Sequence, residues 1–477
     1  VPAITYSDFG GGLDRRLPIG VQEANRLWTL QNAYVTAGKK IKKRPGLRRL
    51  GNLGGAGLEA LNGVPTVFTS GGVVSVSGPA VAQPLSPYAG TPLGDVLFCE
   101  SFQGYPYVVG YYPGVWPDTP VARHHYIDGA PSTLITDVNC PHGLSVTKAA
   151  SRIFSIGGEV VRYCAAGDAR DWTTSSDAGF LATTLQQGGR EGCTAVGTFD
   201  DALVVMFADG AQIWDVATDP SANQFRRRMS AVGTEYESTL AAFYRDLVFA
   251  SRYGVRSISV QENVDRLDET DVGVPVDSLV SAALLAYAAQ FATNNQGPRI
   301  RGIWLQPLGQ YWLIINQQAF VYSFSRSAKL ACWSVYEFPV SIRGVCAVGG
   351  AVYLRDATSL YVLEEGQHAD DVDGSTPIAV DVQMAYQDAK QPGVEKMFYG
   401  ADFVFSGTAQ VSYLYDPRDT SKETNAQSVQ GDTRVATVVP VEVSAAAIAP
   451  RFQHSANEAF ELNAVTLYFH PLSAMSS

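Results

Sequence analysis

The chain is poor in lysine and histidine, and its cysteines follow no pattern. Of 477 residues only nine are lysine and six are histidine. The six cysteines (Cys99, Cys140, Cys164, Cys193, Cys332, Cys346) are scattered through apolar text with no C-x-x-C spacing, which argues against a zinc framework or a disulfide scaffold and leaves buried free thiols as the expectation. No H-E-x-x-H occurs, and His124 and His125, adjacent on a strand, would point to opposite faces, so no metal site is expected. No stretch approaches ~18 uninterrupted apolar residues, and the opening Val1-Pro2-Ala3-Ile4 lacks the basic-then-apolar pattern of a secretion signal. The expectation is a soluble, unexported chain without membrane insertion. Phosphate-binding loops of the G-x-x-x-x-G-K-[ST] type, dinucleotide fingerprints and G-x-S-x-G elbows are missing from any convincing context, so no cofactor is expected.

What is present is a repeat. Apolar strand, Gly- or Asp-centred turn, second apolar strand and polar gap recur at Ala202 to Val216, Asp246 to Val260 and Gly350 to Leu363, and more loosely at Arg152 to Tyr163, Tyr311 to Phe324 and Val64 to Val76. Residues 84–145 are rich in Pro and Tyr, with Tyr105 to Pro113 as a degraded hairpin among long loops. A hairpin cannot bury its own apolar face. A series of them spaced ~40–60 residues apart implies stacking about an axis, a six- or seven-bladed β-propeller over 51–366. The Ala/Leu-rich text at about 276–292, with Asp277 or Ser278 at its start and apolar residues at 280, 284, 287, 288 and 291, predicts one inserted helix. From 367 the period breaks. Alternating strands at Ile378 to Tyr386, Tyr399 to Phe405, Gln410 to Tyr415, Arg434 to Pro440 and Ala464 to Phe469 predict a C-terminal antiparallel β-sandwich over 367–477. The fold class is all-β.

Charge is uneven. Residues 1–50 hold ten Lys/Arg against three Asp/Glu, +7, so the rest of the chain carries −11 − 7 = −18. This segment predicts an extended N-terminal arm with a hairpin turning at Ala37-Gly38 and stopped at Arg44-Pro45-Gly46, too poor in large apolar residues to fold alone. Its run Lys39, Lys40, Lys42, Lys43, Arg44, Arg48 and Arg49 reads as a subunit-contacting arm, with transient DNA contact second, because no aromatics interleave to stack on bases. A basic arm on an acidic body suggests docking onto an acidic neighbour, such as another copy of the chain.

Signs of catalysis are thin. Ser175-x-Asp177-x-Gly179 partly resembles the Asp-box turn of sialidases but occurs once and reads as a loop. Asp200-Asp201, Asp370-Asp371 and Glu364-Glu365 read as solvated pairs at turns, where a glycosidase needs carboxyls facing each other across a cleft. The acidic run from Glu262 to Asp271 lacks EF-hand order and reads as a solvated loop. Trp214, Trp304, Trp312 and Trp333 fall in strands, as core residues do.

Phe9-Gly10-Gly11-Gly12-Leu13, followed some thirty residues later by Lys43-Arg44-Pro45-Gly46, is similar to the openings of tail proteins of short-tailed bacteriophages (podoviruses). The body resembles their tail hub or nozzle proteins, also called packaged-DNA stabilisation proteins, through Gly192 to Val205, through Trp312 to Asn316 with Val321, Tyr322 and Trp333 in matching order, and through Asp171 to Thr174. The resemblance implies a non-enzymatic virion structural protein, assembled in the host cytoplasm and located in the tail. It would form a ring with itself, expected hexameric, below the portal and adaptor ring, extend the DNA channel, retain the packaged genome and support a needle, spike or fibres. Genomic DNA would pass transiently. An acidic wall suits a channel that DNA must leave.

The competing reading is a glycan-binding or glycoside-hydrolysing propeller, which requires clustered carboxylates and Arg in one central pocket. A cytoplasmic WD-type scaffold is disfavoured because no Gly-His…Trp-Asp pattern recurs. On the arm reading, deleting residues 1–50 abolishes ring assembly and leaves the propeller folded. Trp214→Ala is expected to cost ~3–5 kcal/mol and Lys39→Ala to be nearly neutral, checked by thermal denaturation of the two variants; equal shifts would refute the core assignment.

Overall fold

In the computed structural model, residues 2–52, 56–69, 75–76, 79–85, 87–113, 121–130, 132–186, 192–230, 233–243, 246–259, 271–291, 297–435 and 438–472 are described. Seven small sheets follow one another along the chain. Blade 1 pairs Gly57–Leu61 with Val64–Thr69 and adds Val81–Pro84 in parallel. Blade 2 is Asp95–Phe102, Tyr105–Tyr112 and Val121–Tyr126. Blade 3 runs from Val146–Ala149 to Gly179–Leu181, blade 4 from Ala195–Phe199 to Gln224–Ser230, and blade 5 from Ala241–Phe243 to Gly254–Ser257. Blade 6 runs from Arg301–Leu305 to Leu330–Glu337. Blade 7 is Gly344–Val348, Ala351–Arg355 and Ser359–Glu364. The fold is an all-β propeller, and the strand pairing sets the blade number at seven among the described residues.

The continuous apolar runs follow from this stacking. A blade lies between two others, so both of its faces must be apolar, and successive residues serve alternate neighbours. In blade 4, Leu203 and Val205 pack with Phe154 and Val161 of blade 3, while Val204 and Met206 pack with Leu247 and Phe249 of blade 5. Each junction has such a cluster, and Leu58 and Val67 of blade 1 meet Cys346, Tyr353 and Val362 of blade 7 to close the ring. The turns fit the strand twist. Asp200 and Asp201 (φ 44° and 64°) and Asn62 and Gly63 (φ 50° and 74°) take left-handed conformations, as two-residue hairpin turns require.

Two hairpins differ from expectation. Val64–Thr69 folds back on Gly57–Leu61 across Asn62-Gly63, and Ser75–Val76 pairs instead with Gly46–Asn52. Tyr105–Tyr112 is a single strand, not a degraded hairpin. Gly110 lies inside this strand, paired with Val96 and Arg123, where a Cβ would come within 2.8 Å of Leu93 Cδ1 and 3.1 Å of the Tyr112 ring. The helix appears as expected, at Asp277–Phe291 between blades 5 and 6, burying Val280 and Leu284.

The C-terminal sandwich is present, but it is built from both ends of the chain. One sheet orders Val439–Ala445, Lys396–Ser406, Glu461–Pro471, Ile41–Lys43 and Ala33–Val35, with Ala3–Tyr6 also on Glu461–Pro471. The other orders Arg26–Gln31, Val380–Met384, Ala449–His454, Thr408–Leu414 and Gln427–Gln430, and continues through Gly12–Leu13 into Leu330–Glu337 of blade 6, making ten strands. The expected strand from Arg434 to Pro440 starts later, at Val439, after a 3-10 turn over Thr433–Val435. Ala449–His454 escaped notice because Pro450 reads as a strand breaker.

The expected extended arm is therefore corrected. Ala3–Tyr6, Arg26–Gln31 and Ile41–Lys43 pair with strands of the sandwich. Gly46–Asn52 pairs with Ser359–Glu364 as the outer strand of blade 7, so the propeller begins before residue 51 and deleting 1–50 would open the ring. Arg44 anchors this junction. It is 1% exposed, and each of its five N–H groups is directed to an acceptor: Nε to Asn32 Oδ1 at 3.0 Å, Nη1 to Asp370 Oδ1 at 2.9 Å and Pro45 O at 3.1 Å, Nη2 to Asp370 Oδ2 at 2.6 Å and Glu337 O at 2.9 Å. Asp370, expected to be solvated, is 2% exposed. Arg44→Ala strands that carboxylate and is expected to destabilise the chain by ~3–5 kcal/mol. Arg44→Ala/Asp370→Ala should cost less than the sum of the single variants; additivity in a denaturant double-mutant cycle would refute the coupling.

Candidate functional site

The seven basic residues expected to contact a neighbour all engage their own chain. Lys39 pairs with Asp8 at 2.7 Å, Lys42 with Glu365 at 3.6 Å, Arg48 with Glu364 at 2.5 Å and Arg49 with Asp373 at 3.8 Å, while Lys40 donates to Asn463 O at 3.0 Å. Lys43 and Arg44 are buried. Lys43 donates to Ala456 O at 2.9 Å, and burial pulls its ammonium down to about 8. The acidic neighbour is largely the chain's own linker, residues 364–373.

Other candidates resolve as structure. His124 and His125 lie on opposite faces against the Tyr107 and Tyr112 hydroxyls at 2.6 and 2.9 Å, and burial lowers them to about 3 and about 4, so both are neutral. Asp177 of the partial Asp-box is held by the buried Arg152. Trp214, Trp312 and Trp333 are buried; Trp304 is half-buried against Phe243 at 4.5 Å. Cys99 is half-buried and the other five cysteines are buried, all of them free. The acidic run at 262–271 lies outside the described residues except for Asp271, which is buried and accepts from Ser257 N at 3.1 Å. No group of three or more His, Cys, Asp and Glu able to hold a metal occurs among the described residues.

The charged cluster that stands out lies on the propeller axis, built from residues the sequence reading passed over. Arg301 is the first residue of blade 6's innermost strand, and Arg299 lies two residues before it. Asp95 and Glu59 come from the innermost strands of blades 2 and 1, Arg343 and Arg355 from blade 7, and Glu237 from the turn before blade 5. Arg301 Nη2 lies 2.5 Å from Asp95 Oδ2 and Nη1 lies 3.8 Å from Glu59. Arg355 lies 3.8 Å from Asp95 and donates to Ala56 O at 2.5 Å. Arg299 pairs with Glu237, with its guanidinium 4.8 Å from the Tyr111 ring centre. Gly344, opposite Arg355 in register, leaves room for it: a Cβ would lie 3.1 Å from Arg355 Cγ.

Two cavities meet at this layer. One, of about 310 Å³, is lined from the innermost strand of each of the seven blades and includes Glu59 and Arg301. The other, of about 230 Å³, forms a mouth lined by Asp95, Tyr111, Arg299, Arg343 and Arg355 with Gly94, Pro113, Gly297 and Pro298. Arg301, which lines the first, is hydrogen-bonded to Asp95, which lines the second. The two linings together hold four guanidiniums and four carboxylates, Glu59, Asp95, Glu100 and Glu237, but the smaller cavity alone sets three guanidiniums, Arg299, Arg343 and Arg355, against the single carboxylate of Asp95. Burial pushes the Glu59 carboxyl up to about 7, against the opposing pull of Arg301, and draws Arg355 down to about 10.

No family description matches the chain, and no curated protein matches it. Among solved structures it is similar to the WD40 domain of Neurospora crassa Pan2, at 11% identity and a TM-score of 0.39, over 68% of this chain and 97% of that one. So distant a likeness bears no functional weight, and the seven-bladed architecture rests on the strand pairing above.

The Glu59 shift makes a pH prediction. Its pKa is raised on folding, so the protonated form is favoured in the native chain; that stabilisation is complete below about pH 4.5 and is lost as pH rises through about 7. Glu59→Gln should match the parent's melting temperature near pH 4.5 and exceed it at pH 8. A variant that melts lower at pH 8 would show the Glu59 charge to be a net favourable partner of Arg301.

Proposed function

We propose that the chain is a non-enzymatic structural subunit of the tail of a short-tailed bacteriophage, a hub or nozzle ring of several copies beneath the portal and adaptor, assembled in the host cytoplasm, that extends the channel for the genome and supports the tail tip. The observation that supports this reading is the ten-stranded sheet that joins blade 6 to the sandwich through Leu13 on Trp333 and Gln31 on Val335. Relative motion of the two domains would break strand hydrogen bonds, so propeller and sandwich act as one rigid block, as a ring under the pressure of a packaged genome needs. Lys42 and Arg48 of the basic N-terminal segment pair with Glu365 and Glu364 of the chain itself, and the whole chain carries a net charge of −11, which suits a wall that DNA slides past.

The axial cluster favours a second reading, a propeller that binds a charged ligand such as an acidic glycan, because arginines and carboxylates do share one central cavity system. It favours binding over hydrolysis: Asp95 and Glu237 are tied up by Arg301 and Arg299, and only Glu59 is held near neutral pKa. Quantitative mass spectrometry of purified phage particles separates the readings. About six copies per particle, in fixed ratio to the portal, is the expected result for closed cyclic symmetry; absence from particles would overturn the tail reading.

A further inference from the structure

The mouth of the propeller holds more positive charge than the fold uses. Arg299 has Glu237, and Arg301 and Arg355 share Asp95. Arg343 has no carboxylate among the described residues, and its Nε is buried without a hydrogen-bond partner. The Arg343 side chain is half-buried, its shielded Nε loses water without gaining a partner, and the Arg299 and Arg355 guanidiniums lining the same cavity add repulsion. Nothing in blade 7 requires the charge: the backbone of Arg343 donates to Arg355 O at 2.8 Å whatever side chain stands there.

We propose that this mouth is a binding site for one small oxyanion, a carboxylate or phosphate group, taken by Arg343 together with Arg299 and Arg355. Guanidinium forks match the paired oxygens of either group, where lysines would offer only point charges. The cavity, about 230 Å³, admits a ligand up to roughly monosaccharide size. Pro113 and Pro298 give an apolar wall for its uncharged part, and Tyr111 closes one side. The proposal does not rest on the tail reading and stands or falls on the purified chain alone.

Isothermal titration calorimetry of the full chain at low salt, with inorganic phosphate, D-glucuronate and uncharged D-glucose as probes, tests it. Saturable one-to-one binding of phosphate or glucuronate is expected, with none of glucose; the tighter of the two anions identifies the source of the oxyanion. Arg343→Gln should weaken that binding at least tenfold while melting at or above the parent temperature, because it removes a surplus cation. Lys39→Gln, a distant surface control, should bind as the parent does. Failure of both anions to bind, undiminished binding by Arg343→Gln, or a melting temperature lowered by several degrees in that variant would each overturn the proposal.

Discussion

The buried bidentate contact between Arg44 and Asp370 is the point on which the rest of the chain is hung. It joins residues 326 positions apart, and through the other donors of Arg44 it also ties in Asn32, the end of blade 6 at Glu337 and the turn at Pro45. Asn32 in turn donates to Ala379 O at 2.7 Å, where the sandwich begins. A guanidinium is the one side chain with five donors in a fixed plane, so a lysine here would leave carbonyls unmet and lose the fork. Buried ion pairs seldom add net stability over apolar residues of the same shape, because desolvation offsets the attraction. This pair instead specifies which strand closes blade 7 and which strands complete the sandwich, since a wrong register would leave both charges buried and unmatched.

Ring closure is the second constraint, and it explains what could and could not be read from sequence. Within a hairpin the contacts are local, so the repeat, the hairpin turns at Asp200-Asp201 and the helix at Asp277–Phe291 were legible: period, turn chemistry and Ala/Leu content lie within a few residues of one another. Pairings between the two ends were not. Gly46–Asn52 reads as a basic tail because its partner, Ser359–Glu364, lies three hundred positions on, and composition does not record who pairs with whom. Asp370 misled for the same reason. Beside Asp371 in a polar stretch it looks solvated, and only the approach of Arg44 makes it a core residue.

The axial cluster was illegible for a deeper reason. Glu59, Asp95, Glu237, Arg299, Arg301, Arg343 and Arg355 are spread over most of the propeller and converge only because innermost strands of different blades face one axis. No pair of these carboxylates has the short spacing that draws attention in a linear reading. A usable signal did exist: Asp95 and Arg301 are each the first residue of an innermost strand, where a propeller places its axial side chains. Charge at those positions is informative once the blades are assigned, and silent before.

The basic composition of residues 1–50 has a physical reason that combines these constraints. Three of their strands, Arg26–Gln31, Ile41–Lys43 and Gly46–Asn52, have partners at residue 359 or beyond, so during synthesis these pairings wait while some three hundred residues are made. An apolar strand with unpaired edges would seek other partners in that interval. A segment of charge +7 repels its own copies, while its attraction to the acidic stretch at 364–373 grows only once that stretch exists. The same charges then become the contacts Lys42–Glu365, Arg44–Asp370, Arg48–Glu364 and Arg49–Asp373. Most of these are exposed pairs worth little each, so their main contribution is to guide the waiting strand to its place, and the single buried pair among them fixes it there.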